Sequence, residues 1–151
     1  MHGWQHTLVN LSVLTPVAGA ALLLHRPEVL LPFAGAYLAG TLLVTPDLDL
    51  RHNDAARRWG SWRFIWAPYA AVSKHRGMSH SWLAGPVLRL LYLAVWVAPV
   101  VYLGVRLVGR PVVWPDAATR ALLLGGYLLS QWLHLLCDGL LPGGWRLHRT
   151  R

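Results

Sequence analysis

Four long runs of apolar residues divide the chain, and they predict four helices that cross a membrane. The runs cover residues 8–24, 29–44, 82–108 and 117–136. A helix takes about 17–25 mainly apolar residues to cross the hydrocarbon core. The last two runs reach this length. The first two are at or just below it, so a buried helix of a soluble fold is the alternative for each.

The polar stretch between the second and third runs predicts a loop at 46–79 with a helix inside it. Asn53 or Asp54 is placed to cap this helix, which is predicted to run to about Val72. Four aromatic residues follow at spacings of three and four and would share one face: Trp59, Trp62, Trp66 and Tyr69. Tryptophan and arginine together favour the headgroup zone, so an interfacial helix is predicted. An amphipathic helix packed on the protein's own core is the alternative.

Composition favours a single integral membrane domain over residues 1–151, an all-α bundle of four spans. Apolar residues make up 55% of the chain and charged residues 13%, about half the share of a typical soluble domain. The formal net charge of +8 would suit a nucleic-acid-binding protein if it formed a soluble basic face. Here the arginines lie between apolar runs, so the expected partner is membrane lipid and not nucleic acid.

The cationic residues also predict the orientation in the membrane. With four spans, both termini and the 46–79 loop lie on one side, and that side holds nine lysines and arginines against four on the other. By the positive-inside rule, this side faces the cytoplasm. The start of the chain lacks a basic region and a cleavage site. The first run is therefore expected to stay as an anchor in the cell inner membrane.

Seven imidazole and carboxylate side chains lie at the predicted cytoplasmic ends of the spans. They are His6, Asp47, Asp49, His75, His80, His134 and Asp138. Apolar length and the arginine count set the topology without reference to these residues. Their meeting at one membrane face therefore indicates a shared site. The other four histidines, at positions 2, 25, 52 and 148, are expected to be interfacial residues or histidines whose hydrogen bonds are satisfied within the protein.

The spacing of these residues suits a divalent metal ion. His134 and Asp138 are four residues apart, so they lie on one face of a helix, one turn apart. Asp47 and Asp49 follow Pro46, which ends the preceding helix and limits the freedom of the turn. Imidazole mixed with carboxylate suits Zn²⁺, Mn²⁺ or Fe²⁺ better than Ca²⁺ or Mg²⁺. Seven candidates exceed one tetrahedral zinc, so two ions, or one ion with a general base, are predicted.

Two arginines allow different interpretations. Arg76, beside His75, could bind a phosphate or carboxylate through two hydrogen bonds, or serve only as a positive-inside residue. Arg89 lies about two turns into the third run. Arginines at such depth face the protein interior or extend to the interface. Arg89 could therefore support Asp49 or Asp138 from behind, or reach a lipid phosphate.

The order of these motifs resembles a known family. The motifs are His6, Thr45-Pro46-Asp47-Leu48-Asp49, His75-Arg76-x-x-Ser79-His80-Ser81 and His134-x-x-x-Asp138. Together, over residues 6–139, they resemble bacterial metal-binding membrane proteins similar to the LexA-regulated inner-membrane proteins assigned as metal-dependent hydrolases. The resemblance implies a multi-span protein whose metal centre uses the seven residues named above. Thr7 stands where the family pattern has an acidic residue.

Three functions follow from the site and the resemblance. The leading hypothesis is a metal-dependent hydrolase at the cytoplasmic membrane face, acting on a phosphoester or lipid-like substrate. Asp49 or Asp138 would be a ligand or base, and Arg76 would hold the anionic group. The second is a non-catalytic protein with a structural metal site. A metal transporter ranks last, because its site should lie near the midplane and these candidates lie at one face.

Overall fold

A computed structural model describes residues 3–50, 53–73 and 78–142 of the chain. The helices are α1 (Gly3–Leu23), α2 (Pro27–Leu42), α3 (Asp54–Arg58), α4 (Ala67–Val72), α5 (Ala84–Val108) and α6 (Ala117–Cys137). Three short 3-10 helices lie between them, at Pro46–Asp49, Gly60–Trp66 and Met78–His80. The predicted all-α class is confirmed for the described residues.

Local signals at the helix ends place the long helices close to the predicted runs. Pro27 supplies the fixed φ of a first helical residue in α2. Asp116 caps α6 by accepting a hydrogen bond from the Thr119 backbone N–H at 2.8 Å. Gly109 ends α5 with a φ of 70°, a conformation that glycine adopts without strain. The largest difference is in α1, which begins at Gly3 and so includes His6 in its first turns.

Helices α2 and α6 form the most extensive contact in the bundle, and two glycines permit their approach. A methyl group on Gly126 would collide with the carbonyl oxygen of Phe33, and one on Gly40 would collide with the Ser130 hydroxyl. Gln131 adds a hydrogen bond from Nε2 to the Gly40 carbonyl at 3.1 Å. Small residues allow such close helix packing in lipid. Helix α1 packs against both α2 and α6.

Helix α5 joins the bundle through its first two turns. Gly85, Pro86 and Arg89 are its buried residues. The hydroxyl of Tyr127, on α6, donates to the Pro86 carbonyl at 3.2 Å. Beyond these turns, nearly every side chain in the range 94–108 is exposed. Most of α5 beyond residue 93 is therefore exposed, although Trp96 still contacts Phe64.

Three helical segments of the described chain are long and apolar enough to cross a membrane. They are Trp4–Leu23, Pro27–Asp49 and Ala84–Val108. Helix α6, predicted as the fourth span, does not meet this measure, so the structure supports three of the four predicted spans. Helix α6 carries Arg120 near its start and the buried polar residues Ser130, Gln131 and His134. The three buried side chains face the protein interior. The polar residues make α6 less apolar than the other long helices.

The prediction of one continuous amphipathic helix before Val72 is wrong. The segment is divided into α3, a 3-10 helix and α4. Gly60 has a φ of 53° between the first two pieces, a left-handed conformation that breaks a right-handed helix. The predicted aromatic face is divided as well. Trp66 and Tyr69 are 2% and 4% exposed and join the core, while Trp62 is 64% exposed.

Candidate metal centre

Three segments bring four potential ligands together at one end of the bundle. The 3-10 helix Pro46–Asp49 carries Asp47, and its buried Leu48 fixes it to the core. The 3-10 helix Met78–His80 carries His80. The last turn of α6 carries His134, and Asp138 lies one turn further on as the C-cap of the helix. Gly139 follows with a φ of 72° and ends the helix there.

The ligand atoms of Asp47, His80, His134 and Asp138 all lie within 4.8 Å of one another. His134 Nε2 is 3.4 Å from Asp47 Oδ1 and 3.6 Å from Asp138 Oδ2. His80 Nε2 is 3.8 Å and 3.6 Å from the same two oxygens. Bonds of about 2.1 Å to a tetrahedral ion place neighbouring ligand atoms about 3.4 Å apart. The four nitrogen–oxygen separations are therefore close to the edge length of such a tetrahedron.

The chemistry of His134 gives a direct test of whether a metal fits. Its Nε2 is buried and makes no hydrogen bond of ordinary geometry within the described residues. Both neighbouring carboxylate oxygens, from Asp47 and Asp138, lie beyond the usual N–H···O distance of 2.7–3.2 Å. A buried imidazole nitrogen usually has a partner. A cation between this nitrogen and the two carboxylates would supply it, so the residues fit a metal ion.

Asp49 lies on the other side of the His80 ring. Its Oδ2 is 3.5 Å from His80 Nδ1, and its side chain is fully buried. The Nε2 of the same ring faces Asp47 and Asp138. Metal-bound histidines commonly donate their second N–H to a carboxylate, which fixes the ring and its tautomer. The structure thus places Asp49, predicted as a ligand or base, where it can orient His80.

His6 reaches the centre from α1 through Asp138. Its Nε2 is 3.3 Å from Asp138 Oδ1, while Oδ2 of that carboxylate faces the other ligands. The His6 ring also stacks on His134, with centroids 4.1 Å apart and planes 17° apart. Burial alone raises the pKa of Asp138, but the close contact with His6 and the nearby His134 outweigh it, so the pKa lies below its ordinary value. The carboxyl is therefore ionised and able to bind a cation.

The remaining predicted residues divide into two groups. His75 and Arg76 lie outside the described residues. Arg89 is 0% exposed and faces the interior, where it bonds to Ser79 and Gln131. The sequence did not predict Ser79 and Gln131 as partners of Arg89. A signal was present, because Gln131 lies one helical turn before His134 and Ser79 directly precedes His80.

The comparison with protein families also indicates metal binding. A family model described as "Uncharacterized metal-binding protein (DUF2227)" matches residues 1–148. The chain belongs to that family. Metal binding, predicted from the sequence, is therefore also the property by which the DUF2227 family is described.

One relative extends the comparison within a shorter range. An "Uncharacterized protein" of Aquifex aeolicus (strain VF5) is 40% identical over 63 residues, which cover 42% of this chain. The aligned part is 45% of that relative, so it spans less than half of its length. No solved structure matches the chain.

Proposed function

We propose that this DUF2227 protein is a membrane protein that holds one divalent metal ion between Asp47, His80, His134 and Asp138. The observation that carries the proposal is the four-atom group, whose nitrogen–oxygen separations are 3.4–3.8 Å. The ion joins the Asp47 turn, the His80 turn and the end of α6. Its role is non-catalytic, as a tie between segments that are distant in the sequence.

The charges around the centre favour one ion over two. Asp47, Asp49 and Asp138 bring three negative charges, and the buried Arg89 brings one positive charge. With neutral imidazoles as ligands, these four residues together carry a surplus of two negative charges. One divalent cation neutralises this surplus, whereas a second would leave buried positive charge, which is costly. The imidazole and carboxylate donors suit Zn²⁺, Mn²⁺ or Fe²⁺.

The number of protein ligands favours a structural ion. Four protein donors complete a tetrahedral zinc, whereas catalytic zinc usually has three and keeps a position for water. Both histidines are nearly enclosed, with side chains 1% and 5% exposed. The ion would therefore be held on all sides by protein groups. His6 and Asp49 would stabilise the ligands from outside, through Asp138 and His80 respectively.

We also propose that the protein lies in the cell inner membrane and that α6, which packs against α2, crosses it together with the three apolar segments. Both termini and the loop at 46–79 then lie in the cytoplasm. Three apolar segments support the membrane location, and the distribution of arginine and lysine supports the orientation. Trp62 and Phe64 are 64% and 56% exposed, and their stacked rings lie near Trp96 of α5. An exposed aromatic band of this kind suits the headgroup level.

A metal-dependent hydrolase is a second candidate, and one observation favours it. The side chains of Asp47 and Asp138 are 20% and 13% exposed, in contrast to the enclosed histidines. Water or a phosphoester could therefore reach the carboxylate side of the ion if its coordination expands. In that case Asp138 would serve as base, because Asp49 is buried behind His80, and Arg76 would hold the anionic group. The resemblance to inner-membrane hydrolases supports the same candidate.

The test is metal content by mass spectrometry on protein purified in detergent without added chelator. We expect about one equivalent in the wild type and less than a tenth of that in His80→Ala and Asp138→Ala. His25→Asn is the control, because His25 is exposed in the α1–α2 turn. Wild-type metal content in both site variants would refute the centre.

X-ray absorption on the same samples separates the two candidate roles. Four nitrogen and oxygen ligands with no fifth scatterer are expected for a structural ion. A bound water, together with hydrolysis of any member of a phosphoester panel, would instead favour the enzyme. Loss of that hydrolysis in a folded His80→Ala variant would then assign it to this centre.

A further inference from the structure

A buried hydrogen-bond network lies directly behind the metal centre, and Ser79 is its junction. The Ser79 hydroxyl donates to the Pro46 carbonyl at 3.1 Å, and its oxygen lies 3.2 Å from the Tyr69 hydroxyl. Pro46 precedes the ligand Asp47, and Ser79 precedes the ligand His80. One serine therefore joins the two turns that carry these ligands.

Arg89 connects this junction to the helix that carries the other two ligands. Its Nη1 donates to the Ser79 carbonyl at 2.8 Å and lies 3.3 Å from the Ser79 hydroxyl. Its Nη2 donates to Gln131 Oε1 at 2.9 Å. Gln131 lies on α6 one turn before His134, and it also bonds to the Gly40 carbonyl of α2. The two ends of one guanidinium thus hold α6 and the His80 turn at a fixed separation.

The complete burial of Arg89 indicates that its hydrogen-bond network has a functional role. The residue is 0% exposed, and none of the ion pairs within the described residues includes it. A buried charge without an ionic partner is expensive and tends to be kept for function. A planar guanidinium can hold two acceptors in a rigid geometry, which the ammonium of lysine cannot do.

We infer that Arg89 is a positioning residue of the metal centre, acting through Ser79 on His80 and through Gln131 on His134. This inference rests on the proposed function, since it concerns the same ion. Without the guanidinium, the Ser79 carbonyl and the Gln131 amide each lose a buried donor. The His80 turn and α6 then separate, and the spacing between His80, His134 and the carboxylates no longer fits one ion. Loss of such supporting contacts lowers metal affinity about 10- to 100-fold.

The test compares Arg89→Lys with Arg106→Lys, a matched substitution at an exposed position of the same helix. Zn²⁺ dissociation constants are measured by competition with a chromogenic chelator, and the visible spectrum is recorded with Co²⁺ as probe. For Arg89→Lys we expect 10- to 100-fold weaker Zn²⁺ binding and a loss of the intense absorption of tetrahedral Co²⁺. Arg106→Lys should match the wild type in both measurements.

The Co²⁺ spectrum separates positioning from general destabilisation. A variant that is less stable but still folded keeps the tetrahedral bands, whereas a variant with displaced ligands loses them. A folded Arg89→Lys variant with wild-type affinity and spectrum would overturn the inference. If Arg89→Lys does not fold, Gln131→Met is measured instead, because it removes the hydrogen bond between Arg89 and α6. The same changes in Zn²⁺ affinity and Co²⁺ spectrum are expected. A wild-type protein that binds neither Zn²⁺ nor Co²⁺ would instead refute the proposed function itself.

Discussion

Helices α5 and α6 are the last two long helices of the chain, and the environments of their side chains are opposite. Helix α5 is the most apolar long helix, yet most of its length from Val95 onward is exposed. Helix α6 carries Ser130, Gln131 and His134 and places them in the interior. The sequence predicted both as spans on apolar length, but the structure supports this for α5 and not for α6.

The difference shows that apolarity in this protein marks the periphery and not the centre. In water, the most apolar helix would be the most buried one. In lipid, the outer surface can be fully apolar, while polar side chains are satisfied by neighbouring helices. The least apolar long helix is therefore the one that forms the core and supplies His134 and Asp138 to the metal centre.

The largest effect is expected from a matched pair of leucines. Leu135 on α6 is 0% exposed and Leu103 on α5 is 57% exposed. Leu135→Ala should lower the free energy of unfolding by about 2 kcal/mol or more, because it leaves a cavity. Leu103→Ala should change it by less than about 0.5 kcal/mol. Circular dichroism during denaturation in detergent measures both, and equal losses would contradict the contrast between the helices.

Adjacent glycines on α6 test the close packing of the core helix. A methyl group on Gly126 meets the backbone of α2, whereas one on Gly125 meets nothing within 4 Å. Gly126→Ala should therefore cost about 1–3 kcal/mol of stability through overpacking. Gly125→Ala should be neutral or slightly stabilising, because alanine favours the helix. A Gly126→Ala protein that is as stable as Gly125→Ala would refute the contact between α2 and α6.

The first turns of α5 form its functional end, and a second pair of glycines tests this. A methyl group on Gly85 would collide with the Ser79 carbonyl, while Gly104 has open space around it. Gly85→Ala should displace the turn that carries His80 and weaken Zn²⁺ binding about tenfold. Gly104→Ala should leave binding unchanged. Chelator competition measures both affinities, and unchanged affinity in Gly85→Ala would show that this turn tolerates displacement.

The smallest effect concerns the start of α6. Asp116 caps this helix from the position directly before it, whereas α5 is capped from further back by Ser81, which accepts from the Gly85 backbone N–H at 2.7 Å. The bond from the Thr119 backbone lowers the pKa of Asp116 below its ordinary value. Its stabilising effect is therefore present well above the unfolded pKa of about 3.9 and is lost as the pH falls through the lowered value.

Asp116→Ala should reduce the melting temperature by a few degrees at neutral pH, and Asp116→Asn, which keeps a capping oxygen, should reduce it less. The difference between wild type and Asp116→Ala should shrink in acid. A difference that is constant from pH 7 to pH 3 would show that the ionised cap contributes nothing.

Much of the fold follows from local patterns. Three predicted runs lie within two or three residues of their helices, because proline, aspartate and glycine mark the helix ends locally. The segment after Asn53 was harder to predict. Asn53 caps α3 as expected, by accepting from the Ala56 backbone N–H. The aromatic spacing then predicted one helix, but Gly60 ended it, and burial of Trp66 in the core outweighed the periodicity.

The candidate site was predictable in its residue types and less so in their roles. Asp47 and Asp49 share one motif, and only the 3-10 geometry places the first toward His134 and the second toward His80 Nδ1. The contact of His6 with Asp138 depends on how α1 packs beside α6, which no local pattern encodes. The number of ions, left open between one and two by the sequence, depends on charges that burial brings together.

The positions of the four ligands along the chain determine when the ion can be bound. Asp47 follows α2, His80 precedes α5, and His134 and Asp138 lie at the end of α6. During synthesis, a partial chain offers at most two of the four ligands until the last turn of α6 is made. A metal link between such distant positions closes long loops, which removes much conformational entropy from the unfolded chain. Under the proposed function, metal loading is thus a late event in biogenesis, and we expect a cell short of the ion to accumulate full-length chains with α6 loosely held.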